Sequence, residues 1–507
     1  MTASHPSIGR DASRAVWFLL LSAMAAVGAA LRLWHIDAQS LWLDEAQFLH
    51  AAVLSRFRDM IRFLVEQDFH PPAYPFILRG WLKLTGTGDG AVRALPALFG
   101  VALIPATAEL GRALFGRRDI GLWAALVVTL NGYHLYLSQE ARHYTWLALI
   151  GVLHMLAFVR LLRTVSVRWL LAFFVSGTVG LFSHYHMLLI LTAEALVALA
   201  WTGRRMLLLA MAACAIPFFA LWTGQLIAQS HRRALWGEAL IDPGMNPATG
   251  AVAVATNLGW SFLDFSTGSY LRLVGNAGFD LPDLFKAAAL GSAGWLALMG
   301  LWSQTRRESP GRQATGVLAC LGLVPVAGAI ASGFLQANVF ETKYVSFVAP
   351  LWAVILGAGC RVGLRGRIGR VVVALFVGGL LTSVIHYHME AIPWKEDWRH
   401  ASGLVERGWR PGDMLLQRAP YTDFSLDHYL PFPPTRLSSG LATIPSEAMA
   451  ESVYLEARQR GARRLWVVLS HDEHAETTLR LLGQAMPVEG YWVPHGIQVA
   501  RFRMPPG

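Results

Sequence analysis

Runs of about twenty apolar residues recur from Ala15 to about Tyr387, and this recurrence constrains the chain more than any motif in it. A helix rises about 1.5 Å per residue, so roughly 20 residues cross a hydrocarbon core about 30 Å thick. About eleven such runs fit between those limits. A soluble domain carries charge on roughly 25% of its positions, whereas 15% of these 507 residues are charged and 54% are hydrophobic. Lipid is therefore the expected solvent, and the implied fold class is an α-helical polytopic membrane protein.

The formal charge of +10 sits in short arginine clusters between the runs, not on one basic face, so topology explains it better than nucleic-acid binding does. Arg10 and Arg14 precede the first run, Arg117 and Arg118 follow the second, and Arg160, Arg163 and Arg168 follow the fourth. Arg204 and Arg205 follow the sixth, Arg306, Arg307 and Arg312 the eighth, and Arg361, Arg365, Arg367 and Arg370 the tenth. Basic loops stay in the cytoplasm, which puts the N-terminus inside. The exported loops are then 32–92, 131–143, 183–186, 225–283 and 336–344, together with everything after about His388. The first run, from Ala15 to about Leu33, is long for a cleavable signal and is expected to remain as an anchor. Cys214, Cys320 and Cys360 fall within or at the end of expected spans, so no disulfide is expected.

Two domains are expected: residues 1–388 in the membrane, including the exported first loop, and residues 389–507 as a small extracytoplasmic α/β domain. In the first loop, apolar residues from Ala46 to Gln67 recur near helical spacing with arginines between them, as in a helix lying at the interface. It should stop before His70-Pro71-Pro72, with a shorter helix from Pro75 to Leu84. The half-polar stretch Pro247 to Val274 is also placed at the interface. In the C-terminal domain a helix should end at Gly408, with strands at Met414–Leu416, Leu465–Ser470 and near Ile497–Phe502, and a helix through Leu482 before the last strand.

Several exported positions could carry chemistry. Asp44 and Glu45 are adjacent acids that either start a helix, where its dipole favours them, or supply a general base. His70 is either part of a rigid His-Pro-Pro turn or an imidazole held where a phosphate or hydroxyl could bind. In Ser138–Trp146, Glu140, Arg142 and Tyr144 alternate; Arg142 either snorkels to headgroups or grips an anionic phosphate. Lys343 and Tyr344, at the start of the tenth run, are open to the same two readings. The pairs His184 with His186 and His386 with His388 tempt a metal assignment. Residues two apart on a helix point to nearly opposite sides, however, so no metal site is expected from them.

The ordered set of Ser40–Gln47 (SLWLDEAQ), His70–Pro75 (HPPAYP), Gly88–Gly100, Tyr136–Tyr144 (YLSQEARHY), a Lys-Tyr-x(5)-Pro at 343–350 and Lys395–Arg399 resembles bacterial GT-C glycosyltransferases of family 39. That group is related to protein O-mannosyltransferases and lipid A aminoarabinose transferases. The resemblance covers most of the first 150 residues and isolated points beyond. It implies a GT-C fold in the bacterial inner membrane and transfer of a sugar from a polyprenyl-phosphate-linked donor to an envelope acceptor, usually with inversion. No cofactor and no divalent metal are implied. Asp44 would be the base with Glu45 beside it, His70, Arg142, Lys343 and Tyr344 would lie near the donor phosphate, and Tyr74, Glu140 and Tyr144 would support them. Lys343 departs from the family's usual arginine, which puts bidentate recognition there in doubt.

Two other classes remain open. A lipid or glycan transporter would have as many spans but polar groups near mid-membrane, and here Glu194 is the main one. A scaffold would leave Asp44 and Arg142 replaceable. The arginine register predicts that single cysteines at positions 116, 203 and 366 label only from the cytoplasm, and those at 87, 338 and 440 only from outside. One inverted position breaks the register.

Overall fold

The computed structural model describes residues 8–68, 70–200, 206–238, 283–305, 309–335, 342–389, 395–418, 422–438, 445–472 and 474–505. The stretch Pro247 to Val274 lies outside them. Helices α1 (Ile8–Leu33), α5 (Asp89–Phe115), α6 (Arg118–Leu130), α7 (Gly132–Ser138), α8 (Tyr144–Arg163), α9 (Val167–Leu181), α10 (Met187–Ala200) and α11 (Leu207–Glu238) are followed by Asp283–Thr305, Ser309–Leu335, Ala349–Gly363 and Arg367–Met389. Eight helices among the described residues are long and apolar enough to cross a membrane, and the bent pair α6 and α7 makes nine. The remaining two expected spans are the shorter apolar helices α9 and α10, of 15 and 14 residues. At about 1.5 Å per residue neither alone covers a full hydrocarbon core.

The loop after α1 differs from its expected form. Instead of one helix from Ala46 to Gln67 there are two, α2 (Leu43–Val53) and α3 (Phe57–Glu66), and α4 (Ala73–Thr85) follows the prolines. The guanidinium of Arg79, on α4, donates to the carbonyls of Leu54 and Ser55 at the break, satisfying backbone that a continuous helix would have paired internally.

Small residues let the spans approach. A Cβ at Gly359 would overlap the Leu296 carbonyl, and one at Gly357 would lie 2.7 Å from the Ile120 carbonyl oxygen. Lipid supplies no hydrophobic drive between helices, so such close backbone contact is what holds them. Between α6 and α7 the chain bends by 63° at Asn131, which is extended. The carbonyls freed there are not lost. Arg32, fully buried, donates from Nη2 to the Val128 carbonyl at 2.9 Å and from Nε to Ser138 Oγ at 3.1 Å, while the Asn131 side chain accepts the His134 N–H at 2.9 Å. The polar groups at α8 and α10 pair as well, His154 Nε2 lying 3.0 Å from Glu194 Oε2 with both side chains fully buried.

The chain divides into two compact units. The first contains residues 1–34, 54–86 and 91–390; the second contains 35–53, 87–90 and 391–507. Relative to the expected cut at 388, α2 and the turn before α5 thus group with the C-terminal residues.

In the second unit a four-stranded sheet has the order β1 (Asp413–Gln417), β2 (Arg464–Leu469), β4 (Gln498–Arg503), β3 (Val488–Trp492). β1 and β2 are parallel and β4 is antiparallel to both β2 and β3. The parallel pair β1 and β2 is buried at every residue, which is why these strands read as unbroken apolar runs and not as alternating ones. Leu416, Leu465, Val467 and Phe502 pack against the Glu447–Gln459 and Ala475–Ala485 helices. Leu415, Trp466 and Val468 pack against the Trp398–Gly408 and Asp423–Tyr429 helices. The Gly359→Val variant should lower full-chain stability in detergent by about 1–3 kcal/mol, the usual cost of overpacking; an unchanged melting temperature would refute the close-contact account.

Candidate functional site

Four separate segments of the first unit converge on one cluster of basic and aromatic side chains. The first is the turn before α4. Asp68 Oδ1 accepts the His70 N–H at 3.1 Å and also contacts His70 Nδ1. Gln229 of α11 holds this turn, donating to the carbonyls of Leu64 at 2.9 Å and Asp68 at 3.3 Å. The Ala73 N–H donates to the Phe182 carbonyl at 2.9 Å, tying the prolines to the end of α9. The second segment runs from α7 into α8, where the Arg142 N–H reaches the Glu140 carbonyl at 2.6 Å and Thr145 Oγ1 donates to the Pro96 carbonyl at 2.8 Å. The third is the turn between α9 and α10, where the ring of His186 contacts the Tyr344 carbonyl at 3.1 Å. Ser346 Oγ donates to the Tyr144 carbonyl at 3.0 Å, so the fourth segment, the 342–348 turn, is fixed to the start of α8.

These tethers bring together six of the seven residues expected in this unit, and the seventh, Glu140, adjoins them through the carbonyl that accepts the Arg142 N–H. Arg142 Cζ lies 5.9 Å and Lys343 Nζ 5.8 Å from the centroid of the Tyr144 ring, and Lys343 lies as near Tyr344. Tyr74 and Glu140 are fully buried. His70 joins them through His143, whose ring is 4.6 Å from that of His70 and 6.3 Å from that of Tyr74. Burial, and after it the neighbouring His70, His184, Arg142 and Lys343, holds the His143 pKa well below its ordinary 6.5. The resulting cluster has two fixed cations and several imidazoles, a composition that favours an anion with several oxygen acceptors.

The acidic pair belongs to the second unit. Asp44 and Glu45 occupy the first turn of α2, where the helix dipole favours both. Glu45 is fully buried and pairs with Lys395 Nζ at 3.0 Å; its other oxygen accepts the Trp42 N–H at 3.3 Å. The segment around Lys395 is laced to the loop before α2. The Lys395 N–H donates to Gln39 Oε1 at 3.1 Å, Ser40 Oγ donates to the Glu396 carbonyl at 2.6 Å, and the Trp398 N–H donates to Ser40 Oγ at 3.0 Å. His471, with φ of 54°, pairs with Glu396 and lines a cleft of about 280 Å³ with Ser470 and Asp472. Its pKa is raised, chiefly by the hydrogen bond its ring donates to Glu396 and further by the charges of Glu396 and Asp44.

Sequence reasoning missed Lys395, His471, His143 and the grouping of His184 with His70. Lys395 stood inside a quoted motif, but a lysine's partner 350 positions away has no local signature. In sequence His184 has only His186, two residues on, beside it as a partner ring.

Residues 69–223 match the model of the dolichyl-phosphate-mannose-protein mannosyltransferase family. No curated protein sequence matches the chain. Among solved structures, ArnT of Cupriavidus metallidurans in the apo state is similar with a TM-score of 0.57 and 13% identity, over 96% of this chain and 98% of that one. The same protein bound to undecaprenyl phosphate gives 0.54 and 14% over the same shares. The oligosaccharyltransferase AglB of Archaeoglobus fulgidus, in complex with an inhibitory peptide and a dolichol-phosphate, gives 0.54 and 14% over 96% of this chain and 74% of that one. The fold is that of GT-C membrane glycosyltransferases, as the sequence motifs implied.

Removing one partner of a buried ion pair strands the other. Lys395→Met should therefore destabilise the full chain by about 3–5 kcal/mol, and the double variant with Glu45→Met should recover most of that loss. Additive losses in thermal unfolding would show that the two residues do not act as a pair.

Proposed function

We propose that this protein transfers a sugar from a polyprenyl-phosphate-linked donor to an acceptor hydroxyl on the extracytoplasmic side of a bacterial inner membrane. The observation that carries the reading is the convergence of Arg142, Lys343, His70 and Tyr344 on one cluster, within or beside the segment that matches a lipid-phosphate-sugar transferase family. The ligands named in the solved neighbours, undecaprenyl phosphate and dolichol-phosphate, support a donor of the same class.

The chemistry makes two demands. As the bond from the anomeric carbon to phosphate breaks, negative charge grows on the departing polyprenyl phosphate and needs cations aimed at it. Arg142 supplies a planar fork suited to two phosphate oxygens, and Lys343 supplies a compact second charge. The acceptor hydroxyl is a poor nucleophile until a base takes its proton, and in an inverting displacement it attacks from the face opposite the phosphate. Asp44 is assigned that role. Glu45, neutralised by Lys395, is a positioning residue that fixes the first turn of α2 and hence the direction of Asp44. Tyr74, Glu140 and Tyr144 hold the phosphate-binding groups in place. The donor's lipid tail accounts for a catalyst embedded in the membrane.

The experiment follows release of polyprenyl phosphate when the full chain, reconstituted in lipid, is given a panel of polyprenyl-phosphate sugars and envelope acceptors. Asp44→Asn keeps the side chain's shape and removes the basic oxygen, so transfer should fall by roughly 10²- to 10⁴-fold with donor binding retained. Wild-type turnover in that variant would leave Asp44 as a helix-start residue only. Arg142→Ala should lose more than about tenfold in donor use, equivalent to about 1.4 kcal/mol of transition-state binding, and Arg142→Lys should lose less. Equal activity of the Arg142 variants and wild type would restore the snorkelling account.

A further inference from the structure

His143 and His184, which the transfer chemistry above does not use, lie with His70 in an arrangement of its own. One ring nitrogen from each falls within 4.8 Å of one from each of the others. The ring centroids are 4.6 Å apart for His70 and His143, 5.1 Å for His143 and His184, and 5.5 Å for His70 and His184. The three come from different segments: the turn before α4, the position preceding α8 and the turn between α9 and α10. We propose that His70, His143 and His184 form a binding site for a divalent transition-metal ion of the zinc class.

Zinc bound tetrahedrally by imidazoles sits about 2.0–2.1 Å from each nitrogen, which puts the nitrogens about 3.4 Å apart. Small ring rotations close the remaining gap. His70 already has the support that metal-bound histidines use. Asp68, 4% exposed, holds its Nδ1, which fixes the tautomer and turns Nε2 outward as the ligand atom. Asp68 is itself secured through its carbonyl by Gln229. His143, with no exposure, supplies a second ring nitrogen from the position preceding α8. Coordination through His184 Nδ1 replaces a hydrogen bond accepted from the His186 N–H at 3.1 Å. Nitrogen ligands without thiolates or a carboxylate cage suit zinc and its neighbours better than magnesium or calcium.

Three protein ligands leave a fourth tetrahedral position open. Arg142 and Lys343 stand close by, each within 6 Å of the Tyr144 ring that adjoins His143. A dication between them calls for an anion, and a phosphate oxygen in the fourth position meets that need. This last clause rests on the donor-phosphate reading, whereas the metal site rests on the histidines alone.

The test uses the untagged full chain in detergent, stripped with a chelator and titrated with Zn²⁺ against a chromogenic competitor, and separately with Co²⁺. The expected result is one equivalent of Zn²⁺ per chain and the visible absorption of tetrahedral Co²⁺. Asp68→Asn should weaken binding by about 10- to 100-fold, and the double variant His143→Gln with His184→Gln should abolish the stoichiometric site. Failure of the wild-type chain to retain Zn²⁺ overturns the proposal, as does equal retention by the double variant. Inorganic phosphate should then change the Co²⁺ spectrum, and an unchanged spectrum overturns the fourth-ligand clause. Metal retention is read without any sugar, so its failure and the failure of glycosyl transfer are separate results.

Discussion

A guanidinium at the end of the first span makes the bent span possible. Backbone that leaves a helix inside a membrane has no water to turn to, and each stranded carbonyl costs several kilocalories per mole. At Asn131 the chain leaves α6 and re-enters a helix 63° away. Arg32 takes the Val128 carbonyl and reaches Ser138 on the far side of the bend. The bend sends α7, and the Glu140–Tyr144 segment after it, across the bundle to where α8 begins. Arg142 and His143 owe their positions to it, and the rest of the cluster is assembled on that segment through Ser346, Trp146 and Tyr344.

The same segment explains a division of labour. Groups suited to an anion collect in the helical unit, on short turns between rigid helices. The acidic pair stands in the unit built on the sheet, where Glu45 is locked by a lysine from the chain's other end.

Much of this was legible in the sequence because lipid imposes a strong pattern. Apolar runs marked the long and shorter apolar helices from α1 to Arg367–Met389, and the paired acids, His-Pro-Pro and Gln-Glu-Ala-Arg motifs pointed to residues that lie in the two clusters. The strands Asp413–Gln417 and Arg464–Leu469 were expected within two residues, since burial on both faces leaves a continuous apolar signal. Strand Val488–Trp492 was missed because its residues are mostly exposed and its pattern, Val-Glu-Gly-Tyr-Trp, carries little period. The break at Leu54–Arg56 was invisible too, for its cause is Arg79, a distant side chain supplying what the helix would have supplied itself. The histidine cluster escaped for the same reason: its members lie 41 to 114 positions apart, and only folding makes them neighbours.

Arg32 also carries a history of synthesis. It enters the membrane with α1, while Val128, its partner, lies 96 positions later in the chain. At roughly 5–20 residues per second, the ribosome takes about 5–20 s to supply that partner. Through that interval the first helix sits in lipid with an unmatched cation. Its placement in the last turn of α1 makes the wait tolerable, because a side chain there can stretch to the headgroups. The same residue at the centre of the helix would face an insertion cost of about 2.5–3.5 kcal/mol before any partner existed. The depth of one arginine thus answers to the order of biogenesis as well as to the finished fold.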